Sequence, residues 1–129
     1  MRAIVIHAAG DLRIEDRSDP DPAPGPGEVL IAAATGGICG SDLHYVRHGG
    51  FGSVRLREPM ILGHEVAGRV EAVGEGVTGL TPGLMRAGLI DVTPLVTHTL
   101  PLDHTVEAFA LAQDRGRAMK VQIDFARGG

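Results

Sequence analysis

Cys39 and His64 are the residues of this chain whose types best suit metal chemistry. A thiolate and an imidazole are both good zinc ligands. Two loops of a β-barrel could bring Cys39 and His64 together. Spacing alone leaves the ordinary alternatives open, because a cysteine is commonly a buried small hydrophobe and a histidine beside a glutamate is commonly a surface pair. Cys39 is the only cysteine, which excludes an intrachain disulfide and a four-cysteine zinc site within the chain. His7, His48, His98 and His104 have no partner at metal spacing and read as surface or hydrogen-bonded histidines.

The elements that must hold these residues are mostly strands. Short β-branched stretches at 3–7 (AIVIH), 12–15 (LRIE) and 29–34 (VLIAAA) are cut by turn residues, including the Pro/Gly-rich DPDPAPGPG. Residues 41–48 (SDLHYVRH) follow Gly40 with Ser41 at a good N-cap position, which predicts a short helix. The stretch 66–73 returns to alternation with Val66, Gly68, Val70 and Ala72 on one face. A strand is expected at 94–102, then a helix capped by Asp103 and carrying Val106, Phe109, Ala110 and Ala112 on its apolar face. A closing strand is expected at 119–125. Ile4, Val29, Ile31, Val70, Val73 and Phe109 are the expected core, and their remoteness from Cys39 implies a fold that persists without metal.

Length and composition fit one domain: 129 residues with 43% hydrophobic content are enough for a single core. The net charge of −4 gives no footprint for nucleic acid or an anionic membrane surface. No apolar run approaches the ~20 residues that cross a bilayer, and the first residues lack signal-peptide character, so a cytoplasmic location is expected. Gly74, Gly76 and Gly79 match G-x-G-x-x-G after a strand. A dinucleotide site also needs a helix to follow, and here the chain reads Leu80-Thr81-Pro82-Gly83, a turn. No cofactor-binding residue is therefore assigned.

The string G-H-E-x-x-G-x-V-x-x-V-G at 63–74 is similar to the signature of zinc-containing medium-chain alcohol dehydrogenases. The segment I-C-G-S-D-L-H-Y at 38–45 resembles its counterpart in the sorbitol and polyol branch. HGGFG at 48–52, REPMILGHEVAG at 57–68 and MKVQ at 119–122 look most like the L-idonate 5-dehydrogenases. The resemblance implies a mainly β, α+β fold: a GroES-like, partly open β-barrel with short helices. It implies Cys39 and His64 as ligands of a catalytic zinc, and Glu65 as the acid that orients or transiently joins the metal. It further implies Ser41 as the hydroxyl receiving the substrate's proton, His44 as the residue passing it to solvent, and Tyr45 as a contact to the substrate chain.

The reaction so implied is oxidation of a secondary alcohol of a polyol or sugar acid with NAD(P), by an enzyme that is a homo-oligomer at full length. After the segment LTPG such enzymes continue into a structural zinc lobe, a third metal ligand and a nucleotide-binding domain. This chain instead turns at about residues 83–84 to a tail resembling their carboxyl end. It reads as one catalytic domain, 1–83 plus 84–129, joined across an excised centre, without its own NAD(P) site. With two secure ligands and Glu65 adjacent to one of them, zinc is expected to be weakly bound or absent, and the chain alone inactive. Two other readings compete: a GroES-like barrel serving as a binding module, and a zinc-free quinone reductase of the same superfamily. The joint presence of Cys39, Ser41, His44, His64 and Glu65 argues against the reductase.

Overall fold

The computed structural model describes residues 1–79 and 95–126. The expected turn at 80–83, the junction at 83–84 and the start of the 94–102 strand lie outside them. Strand β1 (Arg2–Ala8) carries the AIVI run, and Val5 and Ile6 are both fully buried, so the strand is covered on two faces. It lies between β2 (Asp11–Asp16) and β6 (Met60–Ile61), antiparallel to both. A second sheet has the order β7 (Val66–Val73), β3 (Val29–Gly37), β9 (Lys120–Asp124), β8 (Val96–Pro101). β4 (Gly50–Phe51) and β5 (Val54–Arg55) form a small hairpin after helix α1 (Gly40–His48).

β8 and β9 are parallel, and a parallel pair needs a crossover connection. A 3-10 turn at Leu102–His104 and helix α2 (Thr105–Ala112) provide it. Ile4 and Ile6 of β1, Val121 and Ile123 of β9, Phe109 of α2, and the loop residues Ile38 and Leu62 meet in one buried cluster. That cluster anchors the ends of β3 and β6, from which the site is built.

Four expectations are corrected. Ile4 and Phe109 are core residues, but Ile31, Val70 and Val73 are exposed and Val29 is only half-buried. The cause is the extent of pairing: only Thr35, Gly36 and Gly37 of β3 pair with β9, so the rest of β3 and its partner β7 run beyond the packed layer. For the same reason β7 buries neither alternating face. Helix α2 turns Thr105, Ala108 and Phe109 inward, while Val106 is 66% exposed and Ala110 is exposed. A helix apolar nearly all round does not reveal its inner face by composition, and Thr105 joins that face because its hydroxyl donates to the Leu102 carbonyl at 2.6 Å. Asp103 does not cap α2; it pairs with Arg2, and His104 holds the N-cap position. Ser41 is likewise not a cap, since α1 starts one residue earlier and Cys39 precedes it.

The two larger sheets do not close on each other. Between them lies a cavity of ≈ 840 Å³ lined by residues such as Ile4, Leu30, Ile31, Val66 and Phe125. Among the described residues no helix is long and apolar enough to cross a membrane.

Candidate metal centre

Two chain segments converge at the end of β3. Ile38 is buried in the core, and its N–H donates to the Val121 carbonyl of β9 at 3.1 Å. The Gly37 N–H donates to the Glu65 carbonyl at 2.8 Å, which ties the segment before Cys39 to the start of β7. On the other side Leu62, also buried, donates its N–H to the Ile4 carbonyl at 2.9 Å. Gly63 then adopts φ +121°, a region that side chains rarely enter, and this turn sets His64 and Glu65 opposite Cys39. At Gly37 a Cβ would come within 2.6 Å of Glu65 Oε2 and 3.0 Å of Lys120 Cε, so the glycine leaves room for those two side chains.

The side chains meet accordingly. Cys39 Sγ lies 3.1 Å from His64 Nε2 and 2.9 Å from Ser41 Oγ. One ligand atom each from Cys39, His64 and Glu65 falls within 4.8 Å of the others. Tetrahedral zinc with ordinary bond lengths would hold sulfur and nitrogen about 3.6 Å apart. An outward shift of roughly half an ångström therefore accommodates the ion. The donor set of thiolate, imidazole and carboxylate fits zinc.

Sequence reasoning missed two residues here. Asp42 is only 3% exposed, and its Oδ2 accepts the Cys39 N–H at 2.9 Å, closing the first turn of α1. Its Oδ1 lies 3.6 Å from His64 Nδ1, so a buried carboxylate backs the imidazole on the side away from Cys39. The signal was present: Asp42 is the third residue after Cys39, the spacing of a capping interaction. The second is Lys120 of β9, whose Nζ contacts Glu65 Oε2 and donates to the Ile38 carbonyl at 3.2 Å. Nothing local in the sequence links position 120 to position 65.

The family model for the alcohol dehydrogenase GroES-like domain matches residues 25–87, the span that holds Cys39, Ser41, Asp42, His64 and Glu65. Sorbitol dehydrogenase of Sus scrofa is 48% identical over 81 residues, covering 63% of this chain and 81% of that sequence. The chain belongs to the medium-chain polyol dehydrogenase family. Another polyol dehydrogenase, the sorbitol dehydrogenase of Gallus gallus, is 56% identical over 81 residues, and that of Homo sapiens 49%. This chain spans about a fifth of each of those two, 22%. Among solved structures, L-idonate 5-dehydrogenase from Escherichia coli is similar at 36% identity over 54% of this chain and 19% of that one, with a TM-score of 0.46.

The other residues singled out from the sequence lie away from this cluster. His44 is exposed on α1, edge-on to Phe51 at 5.3 Å and tilted toward His48 at 5.8 Å. Tyr45 packs against the hydrophobic core. His7 meets Glu15 at 2.5 Å, His98 meets Thr97 at 3.0 Å and His104 meets Glu107 at 2.9 Å, so each has a local polar partner. Gly74 and Gly76 lie at a turn whose Val77 N–H donates to the Gly74 carbonyl at 3.4 Å, and the Gly74 N–H donates across to the Glu28 carbonyl at 2.9 Å.

Proposed function

We propose that this chain is the catalytic domain of a zinc-dependent, NAD(P)-dependent dehydrogenase that oxidises a secondary alcohol of a polyol or sugar acid. The observation that carries the reading is the convergence of Cys39, His64 and Glu65 with Ser41 Oγ beside the thiol. Cys39 and His64 would hold the metal, with Glu65 orienting or transiently joining it. When bound, zinc supplies Lewis acidity toward an alcohol oxygen. Asp42, behind the imidazole at Nδ1, helps to orient His64 with Nε2 toward the site. Ser41 takes the alcohol proton, and His44, exposed on the same helix, receives it through water and releases it to solvent. Tyr45, with its ring on the core, borders the substrate only through its polar end. The hydride goes to a nicotinamide cofactor bound by a part of the full-length enzyme other than this chain, and that enzyme is a homo-oligomer.

A second reading, a non-enzymatic GroES-like binding module, is favoured by the open apolar cavity between the sheets. Zinc titration of the wild-type chain against His64→Ala and Cys39→Ser separates the two. The metal-centre reading expects weak binding of one zinc per chain that both substitutions abolish, together with no turnover of polyols by this chain with NAD or NADP. Indistinguishable titrations would favour the module, and polyol oxidation abolished by Cys39→Ser would overturn the expected inactivity.

A further inference from the structure

We propose that Lys120 is a positioning residue of the metal centre: its ammonium group holds the Glu65 carboxylate back from Cys39 and His64 and so sets how tightly a zinc-type divalent ion is held. The inference rests on the metal-centre reading above.

Glu65 has two competing partners within reach. Its ligand oxygen lies within 4.8 Å of the Cys39 and His64 donors, yet its Oε2 is in contact with Lys120 Nζ. The lysine is not a loosely placed surface charge. Its Nζ is also held by the carbonyl of Ile38, the residue immediately before Cys39, at 3.2 Å. Its backbone is pinned as well, because the Lys120 carbonyl accepts from Thr97 Oγ1 at 3.1 Å and the neighbouring Met119 N–H donates to that same hydroxyl at 3.1 Å. On the far side Gly37 presents no side chain, and the space it leaves is filled by the Glu65 carboxylate and the Lys120 stem. The clasp is therefore built where the end of β3 and the segment leading into β7 meet β9, with Thr97 of β8 bracing Lys120.

The energetic consequence concerns where Glu65 points more than how much the pair stabilises the fold. Lys120 and Glu65 are 32% and 40% exposed at their side chains, so their mutual attraction is screened by water. A metal ion held by one thiolate and one neutral imidazole keeps a net positive charge, which the Glu65 carboxylate would neutralise. While Lys120 shares that carboxylate, the third donor is withheld and the ion competes with an ammonium group for it. Removing the ammonium releases Glu65, and groups that hold a ligand from outside the ligand set, as Lys120 does, change metal affinity by about tenfold or more.

The test uses the full 129-residue chain, freed of metal and titrated with zinc against a chromophoric chelator, with Co²⁺ absorption as an independent reading of coordination. Lys120→Met is expected to bind zinc at least tenfold more tightly than wild type and to shift the cobalt spectrum. Lys120→Arg should behave as wild type. The gain should vanish when Glu65→Gln is added to Lys120→Met. Lys120→Gln, which can still donate to the Ile38 carbonyl, serves as the second variant in case Met disturbs β9, with circular dichroism checking the fold. Equal affinities for wild type and both neutral variants would overturn the proposal while leaving the metal centre intact. A gain that persists undiminished in the Glu65→Gln background would also overturn it, since Lys120 would then act only by repelling the ion. Failure of every variant to bind zinc would instead remove the metal-centre reading and the clasp with it.

Discussion

Asp42→Asn isolates the one buried charge at the site. Asparagine is nearly isosteric, so its side-chain oxygen can still accept the Cys39 N–H now bonded to Oδ2 at 2.9 Å, and the first turn of α1 should stay closed. What is lost is the negative charge 3.6 Å from His64 Nδ1. A carboxylate that orients a ligating histidine is worth about 10- to 100-fold in metal affinity, or roughly 1.4 to 2.7 kcal/mol, and the 57% exposure of the His64 side chain places the effect toward the lower end. Asp42→Asn should therefore weaken zinc binding by that factor in a chelator-competition titration, with little change in urea stability. Asp42→Ala, which also strands a partly buried N–H, should lose a further 1 to 2 kcal/mol or so of folding stability. If Asp42→Asn binds zinc within twofold of wild type while Asp42→Ala is destabilised, Asp42 is a helix cap and nothing more, and the reasoning fails.

Four other outcomes are expected. Phe109→Ala, at a position 4% exposed in the core cluster, should cost about 3 to 5 kcal/mol in urea denaturation; a loss below 1 kcal/mol would show that α2 does not hold the core. Adding a chelator should leave the thermal midpoint nearly unchanged, because the core residues lie apart from Cys39 and His64; complete unfolding would mark a structural zinc domain instead. Glu15 is held below the ordinary carboxylate range, first by its hydrogen bond to His7 and then by the charges of His7 and Arg17, against the opposing effect of desolvation. A depressed folded pKa gives stability that is present above the unfolded value and lost as pH falls through the folded one, so Glu15→Gln should flatten the acid limb of a stability–pH curve. Identical acid limbs for the two proteins would contradict this. Gly37→Ala should push aside the ends of the Glu65 and Lys120 side chains and so disturb their contact at little cost in stability, because both are flexible and partly exposed; an unchanged zinc affinity in this variant would refute the close approach.

Much of the fold was legible along the chain because strand signals are local. The β-branched runs of β1 and β3, the alternation of β7 and the closing strand β9 all form where residue type and turn chemistry place them. Cys39 and His64 could be singled out by residue type and Glu65 by the family resemblance, and the structure brings the three together. Burial was less so. Whether Ile31, Val70 and Val73 are covered depends on how far β9 extends along β3, and that register is a property of the assembled sheet. The inner face of α2 was hidden by a helix whose apolar residues surround it.

The sequence by itself determined which segments would be strands and offered Cys39 and His64 as residues of metal-ligating type, since both follow from side-chain chemistry and neighbours a few positions away. Only the tertiary structure decided what surrounds those ligands. It brings Lys120 to Glu65 across 55 positions and turns Asp42 from a polar helix residue into a buried partner of His64. Both outcomes depend on β9 lying against the end of β3 and on Gly63 reversing the chain, and contacts between residues so far apart exist only once the sheets have packed.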